Sequence, residues 1–492
     1  MTEPVIIVGA GPAGLTAAYE LSRAGRQSVV LEADGCVGGI ARTAEYKGYL
    51  FDLGGHRFFT KVGMVERVWH EVLGEDMLVR PRLSRIYYGG KFFQYPLEPW
   101  NVVRGLGPVE VALCGLSYLK ARLLPTRPED DLATWVTNRF GDRLFQTFFR
   151  SYTEKVWGIP CNQIRAEWAA QRIRGLSLRS VIKSAIQPYL PKKTESSGTP
   201  RTLVTEFLYP RRGPGQMWTA MQRIVESRGS RVLLRSPVER IYWEPGKVTA
   251  VEAGGQRYEG DQFISTLPIR DLLRMLDPAP PAEVLAAADD FSYRDFLTVA
   301  LMVKGRDLFP DNWIYIHEPN VAVGRIQNYT NWSEEMSPDP AMSCLGLEYF
   351  CSEGDPVWSM GDADLIEMGR RELAQIGLVD PMRVVDGCVV RVKKAYPVYD
   401  GRYAQGLTRV REWLPAVPNL QLVGRNGQHR YNNQDHSMLT AMLAARNILG
   451  AKFDLWELNT DQDYHEEGMD ITDAEIAAME AGQPRVPRTT SF

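Results

Sequence analysis

The stretch VIIVGAGPAGLTAAYELSRAG, residues 5–25, limits the fold more than any other part of the chain. Its four β-branched residues, Val5 to Val8, read as a buried central strand. Gly9, Gly11 and Gly14 then stand directly between that strand and an apolar helix that runs toward Gly25. In such a GxGxxG turn the first glycine permits the tight bend. The second lets backbone approach a pyrophosphate, and the third lets helix and strand pack closely. The helix N-terminus offers unpaired N–H groups and a positive dipole end to phosphate. SVVLEA, residues 28–33, reads as a second buried strand, and Glu32 falls 18 residues beyond Gly14. A ribose hydroxyl needs an acceptor near there. Strand, turn, helix, strand and acid together predict an α/β dinucleotide-binding unit.

A chain of 492 residues can bury two or three packed regions. A hydrophobic share of 44% and a charged share of 24% are ordinary for a globular protein. The net charge of −3 argues against a general nucleic-acid binder, although basic residues can still gather around an anionic substrate. Cys36, Cys114, Cys161, Cys344, Cys351 and Cys388 form no CxxC pair, and no His/Cys cluster has zinc spacing. No metal is expected. The cysteines read as reduced thiols of a cytoplasmic protein. The N-terminus lacks the basic start of a signal peptide, and no uninterrupted apolar run reaches the ~18 residues of a transmembrane helix. Residues 102–124 come closest, but Arg104, Glu110 and Lys120 interrupt them. They read as a buried or amphipathic helix, with peripheral contact to a membrane-bound substrate as the alternative. Nothing in the sequence indicates an oligomeric state.

Further along, RIYYGGKFF reads as a hairpin around Gly89-Gly90, and residues 102–188 carry apolar residues mostly at helical spacing. Residues 191–201 form a polar Pro/Gly/Ser loop. Residues 202–240 read as a helix followed by a strand pair, RVLLRSPVERI, and FISTLPI is another buried strand. Aromatic-rich alternation over 292–350 suits an antiparallel sheet. NLQLVGRNG is a strand running into glycine, 435–449 is a helix, and Thr472 with Glu475 suits a capping box before a polar tail.

CVGGIARTAEYKGYLFDLGGH follows the ribose acid closely, with Gly38, Gly39 and Arg42 in its first residues. It resembles the second glycine motif of the FAD-binding amine oxidase and glutathione-reductase-like flavoproteins. NLQLVGRNGQHRYNNQDHSMLTAMLAARNILG resembles their closing FAD segment, where a helix N-terminus points at the flavin. The resemblance implies FAD, held by Gly9, Gly11, Gly14, Glu32, Gly39, Arg42, Gly424, Arg425 and Asp435. Val238 in SPVERI matches the strand whose backbone meets adenine.

FQTFFRSYTEKVWGIP is similar to the YTxKxWG signature of the UDP-galactopyranose mutases, and GGHRFFT resembles their histidine loop. The chain is identified as a member or relative of that family. The resemblance places His56 against the flavin. Arg325 in VAVGRIQNY matches a diphosphate-binding arginine. Arg172 in AAQRIRG matches the other, with Arg174 as the alternative at this spacing. Tyr152 and Trp157 would line the sugar or uracil pocket, Tyr396, Tyr399 and Tyr431 would approach the flavin or the sugar, and residues 191–201 would correspond to a lid. Two departures stand out: Phe59 replaces the loop's second histidine, and His429 stands where a tyrosine is usual. YPRRGPGQMW and FISTLPI also resemble protoporphyrinogen oxidases and phytoene desaturases.

The expected architecture is α/β. It comprises a discontinuous Rossmann-type FAD domain (1–95, 202–270 and 385–455), a helical domain (96–190) and an antiparallel substrate-binding sheet (271–384). A C-terminal helix and tail (456–492) complete it. The expected activity is interconversion of pyranose and furanose forms of a nucleotide sugar, through covalent catalysis by reduced FAD. An external reductant such as NAD(P)H would keep the flavin reduced. The alternatives are an FAD-dependent oxidase or desaturase and a non-catalytic flavin-binding protein.

Overall fold

The computed structural model describes residues 3–60, 62–95, 97–166 and 206–457. Its centre is a parallel sheet of β1 (Val5–Val8), β2 (Ser28–Leu31), β9 (Arg231–Leu233), β13 (Phe263–Ser265) and β20 (Leu420–Leu422). The spatial order is β20-β13-β1-β2-β9, with Ile6 beside Phe263 and Val5 beside Ser28. These strands are apolar on both sides because both faces are covered. Val5 and Ile7 point into a core shared with helices α1 (Pro12–Arg23), α2 (Gly63–Leu73), α7 (Gly215–Ser227) and α9 (Gln434–Ile448). Ile6 and Val8 point the other way, toward Val238, Ile241 and Val251. Those residues belong to a four-stranded sheet of β10 (Val238–Glu244), β11 (Lys247–Ala253), β12 (Gln256–Glu259) and β14 (Leu276–Asp277).

The second large element is a seven-stranded, mostly antiparallel sheet in the order β19-β15-β18-β17-β16-β6-β7. It contains β6 (Ser84–Tyr88), β7 (Lys91–Gln94), β15 (Tyr293–Lys304), β16 (Trp313–Ile316), β17 (Arg325–Asn328), β18 (Met342–Cys351) and β19 (Val384–Pro397). Alternation along these strands splits the sheet into two unlike faces. Leu297, Val299, Ile326, Leu345 and Leu347 enter a dry core under helix α8 (Asp362–Ile376). Burial of each such side chain is worth about 1.5–3 kcal/mol. Phe296, Thr298, Gln327, Glu348 and Phe350 lie on the opposite strand parity.

Two short pairs, β3 (Thr43–Tyr46) with β4 (Tyr49–Asp52) and β5 (Met77–Pro81) with β8 (Glu206–Pro210), stand between the large sheets. The helical insertion carries α3 (Pro99–Leu106), α4 (Pro108–Leu123), α5 (Leu132–Phe140) and α6 (Ser151–Trp157).

Three expectations change. The hairpin β6–β7 and strand β19, expected in the FAD domain, pair with β16 and β15 and so belong to the seven-stranded sheet. Residues 206–210 form a strand, not a helix, because they pair with β5. The expected pair within RVLLRSPVERI is split: β9 joins β2 in the parallel sheet, and β10 turns into the four-stranded one. The 191–201 loop and the helix and tail beyond 457 lie outside the described residues.

Candidate functional site

The three glycines of the first turn serve different ends. A Cβ on Gly14 would stand 1.8 Å from the Gly9 carbonyl oxygen, so only glycine lets α1 sit this close to β1. Gly11 has no such constraint: its nearest protein atom is the Gly39 Cα, 3.9 Å from where a Cβ would be. Among the described residues, no side chain outside the turn itself comes within 4 Å of that point. It lies between two facing glycine backbones, which fits a pyrophosphate passing between the two motifs. Gly11 is also the N-cap of α1 and supplies no side-chain cap, and the N-terminus of α9 likewise has none. Both helix starts leave backbone donors for a ligand.

Glu32 is buried at the end of β2, and burial raises its carboxyl above the ordinary value. Its Oε2 accepts from the Ala10 N–H at 2.6 Å and its Oε1 from the Asp34 N–H at 2.9 Å. Each oxygen keeps a lone pair for a ribose hydroxyl. Arg42 donates to Asp34, and Gly424 packs on Ala13 of α1. Val238 is buried at the start of β10, and Asp435 is buried in the first turn of α9. These residues fit a dinucleotide such as FAD. Arg425, expected at the cofactor, also holds the local backbone. Its guanidinium donates to the carbonyls of Ala395 and Asn432, tying the 424–432 turn to β19.

The histidine loop leaves β4 through Asp52. That carboxyl is fully buried and accepts from the Tyr209 hydroxyl at 2.6 Å and the Thr43 hydroxyl at 3.1 Å. Tyr329 donates to the Asp52 carbonyl at 2.7 Å. Burial pushes the Asp52 carboxyl up to about 8. The network fixes the root of the loop, and Gly54, at φ +95°, then turns the chain. Gly55 reaches the seven-stranded sheet, where a Cβ on it would meet Gln327 Nε2 at 3.1 Å and Arg325 Nη1 at 3.7 Å. His56 follows. Burial, reinforced by the positive charges of Arg425 and Arg325, lowers its pKa to about 3. The imidazole is neutral near pH 7, and its Nδ1 is buried without a hydrogen-bond partner among the described residues.

Arg325 opens β17 directly opposite Glu348 on β18. Its Nε lies 3.6 Å from a Glu348 carboxylate that is wholly shielded from solvent. Gln327, two residues on and on the same face, donates to the other oxygen of Glu348. Burial opposes the Arg325 charge, but Glu348 and Tyr152 outweigh it and hold the guanidinium protonated. Burial also raises the Glu348 carboxyl, against the pull of Arg325 and Gln327. The guanidinium is flanked by Tyr315 and Phe350, 5.8 and 5.7 Å from the ring centres. Tyr152 stacks on His317 at 4.8 Å and meets Tyr315 edge-on at 5.6 Å.

A second aromatic group adjoins it. Tyr396 and Tyr431 stack at 5.5 Å, Trp157 meets both edge-on, and Phe350 links Tyr396 back to Arg325. The guanidinium of Arg425 covers both tyrosine rings. The structure thus gathers His56, Arg325, Tyr152, Trp157, Tyr396 and Tyr431. Arg172 and Arg174 lie outside the described residues. His429 is not part of this wall: it is fully buried among Phe291, Tyr293 and Tyr403, with Nε2 3.3 Å from the Val398 carbonyl.

Sequence reasoning misses Glu348, Gln327, Tyr315, His317 and Asp52. The signal for Glu348 is a single charge inside the apolar run SCLGLEYFC, and for Asp52 a charge inside YLFDL. A buried charge in a strand requires a partner, and the partner marks a site.

The profile of the flavin-containing amine oxidoreductases matches residues 12–449. A crystal structure of reduced UDP-galactopyranose mutase is similar with a TM-score of 0.81 and 24% identity, over 94% of this chain and 98% of that one. Among curated proteins, the 15-cis-phytoene desaturase of Narcissus pseudonarcissus is 24% identical over 76% of this chain and 65% of its own length. An L-amino-acid oxidase of Crotalus adamanteus is 34% identical over 113 residues, 19% of this chain. That match spans about a fifth of the oxidase's length.

Proposed function

This chain belongs to the flavin-containing amine oxidoreductase family, and within it we propose a mutase-like enzyme that interconverts pyranose and furanose forms of a nucleotide sugar. One observation carries the reading. A half-buried, charged Arg325 stands between Glu348, aromatic rings and the histidine loop, a placement suited to an anion delivered next to a flavin. FAD, bound in reduced form along Gly11, Gly39 and Glu32, would supply the nucleophile for a reaction without net redox change.

The residues of the chain do the rest. Arg325 offers planar donors to the diphosphate and stabilises the charge that grows on it as the sugar leaves. Arg172 or Arg174 supplies the second clamp. Tyr152, Trp157, Tyr396 and Tyr431 pack the sugar and base. His56, neutral between two guanidiniums, exchanges a hydrogen bond at the flavin without adding charge. An external reductant, NAD(P)H among the candidates, maintains the reduced state, and six free cysteines suit a reducing cytoplasm.

A second reading, an FAD-dependent oxidase or desaturase acting on an apolar substrate, draws on the aromatic wall and on the oxidase and desaturase relatives. Redox state separates the two. Protein incubated with UDP-galactose should yield the furanose isomer, by chromatography, only after dithionite reduction. Turnover of an amine or polyene with oxygen uptake by the oxidised protein, and no isomer from any nucleotide sugar, would replace the mutase reading.

A further inference from the structure

Helices α3 and α4 carry a feature that neither reading of the site uses. Six of the eleven large apolar side chains exposed among the described residues fall between Trp100 and Leu124. They are Trp100, Val109, Leu116, Leu119, Leu123 and Leu124, each between 55% and 78% exposed. Along α4, Val109, Ala112, Leu116, Leu119 and Leu123 recur at alternating steps of three and four, which places them on one face. That spacing normally marks the buried side of a helix, yet here it faces solvent.

The opposite face is docked on the protein. Cys114 and Ala121 are buried, the Ser117 hydroxyl accepts from the Arg143 N–H at 3.2 Å, and Glu110 is held by the Arg143 guanidinium at 2.7 and 2.9 Å. The 16 residues of α4 span about 24 Å, short of a bilayer's hydrocarbon core of ~30 Å. The axes of α3 and α4 are bent by 112°, so the pair makes a broad face and no straight crossing. No single helix among the described residues is long and apolar enough to cross a membrane.

The rim decides the occupant. Arg104, Lys120 and Arg122 are exposed around the apolar face and make no ion pair among the described residues. The acid of this helix pair, Glu110, is already taken by Arg143. A second copy of the same face would set one exposed carboxylate, Glu98, against three cations, whereas an anionic lipid surface would offer phosphates to all of them. Trp100 at the edge suits the headgroup level, where indoles collect. A local excess of positive charge in a chain of net −3 points the same way.

We propose that α3 and α4 form an in-plane docking face for an anionic lipid bilayer, with the leucine stripe inserted and Arg104, Lys120 and Arg122 at the headgroups. α3 is joined to the substrate-side sheet, since Asn101 Oδ1 accepts from the Gln94 N–H of β7 at 2.8 Å. Nearby Tyr95 packs on Tyr315 at 5.2 Å, so docking would bring the wall around Arg325 to the membrane surface.

The test is flotation of the purified flavoprotein with vesicles of phosphatidylcholine, alone and mixed with phosphatidylglycerol. The protein should float with the mixed vesicles, weakly with the neutral ones, and less as salt is raised. Each basic residue near an anionic surface is worth roughly fivefold in partitioning. Lys120→Ser with Arg122→Ser should therefore lower binding by more than tenfold, and Leu116→Gln with Leu119→Gln should abolish it. Both variants should keep full flavin content and an unchanged melting temperature, because the positions are exposed. Absence of vesicle binding, or binding indifferent to both variants, would overturn the proposal. A dimer lost in Leu116→Gln/Leu119→Gln, with no vesicle binding, would overturn it in favour of a second copy.

Discussion

In the parallel sheet the groups facing the proposed cofactor path are backbone: Gly11 against Gly39, and the uncapped starts of α1 and α9. In the seven-stranded sheet the groups facing the proposed substrate are side chains, Arg325, Glu348 and Tyr396, with Tyr152 added from α6. The first arrangement recognises a phosphate chain through N–H groups that every residue carries, so its requirement is steric. The second recognises its ligand through charge and ring surface, so its requirement is chemical, and it can change substrate without changing fold. The cradle should therefore fail abruptly when altered, and the wall by degrees.

The largest effect tests the cradle. Gly14→Ala places a Cβ at 1.8 Å from a backbone oxygen that cannot move away, and we expect no soluble folded protein. Gly11→Val meets only open space within the chain, so folded protein should be recovered with no bound flavin, read as the ratio of visible to ultraviolet absorbance. Flavin-replete Gly11→Val would break the distinction between the two glycines.

The next effect belongs to the wall. Glu348→Leu leaves the half-buried Arg325 without its counter-charge and should cost up to about 3–5 kcal/mol by chemical denaturation, with flavin content preserved in the folded fraction. A loss under about 1 kcal/mol would mean that water reaches the pair.

A graded effect comes from pH. Burial lowers the pKa of His56 and His317 to about 3 and that of His429 to about 4, from an ordinary 6.5. The unfolded chain therefore takes up protons below pH 6.5 that the folded chain refuses. Each histidine removes up to about 1.4 kcal/mol per pH unit as pH falls from 6.5 toward 4. Asp52, raised to about 8, opposes them by one proton between 3.8 and 8. For these four groups stability peaks near pH 6.5. Thermal melts across that range should show the peak, and hydrogen exchange at pH 5 should open the seven-stranded sheet before the parallel one. A flat profile would mean that the histidines are hydrated.

The same division explains what can be read from the chain alone. Gly9, Gly11, Gly14 and Glu32 form a local pattern whose spacing is dictated by one turn and one helix, so the cofactor half is legible. Arg325 and Glu348 are 23 positions apart and meet only because β17 and β18 pair in a particular register. No local rule announces that register. Strand β19 reads as part of the wrong sheet for a related reason: its hydrogen bonds go to β15, about ninety residues earlier, and its apolar pattern suits either sheet. Arg425 shows the limit of position within a motif. It stands in the glycine-rich closing segment, and three of its donors also tie that segment to the carbonyls of Ala395 and Asn432, which the motif does not announce.

If one wall holds the cofactor and the other an anionic substrate, a single titration addresses both. UDP would be titrated calorimetrically into the wild type, Arg325→Ala and Arg325→Lys, with flavin content measured on the same samples. The lysine variant keeps a charge opposite Glu348 but loses the planar fork. We expect full flavin content in all three, with UDP affinity reduced at least tenfold in Arg325→Ala and less in Arg325→Lys. Unchanged UDP affinity in Arg325→Ala, or flavin lost together with the arginine, would contradict the division between the two walls.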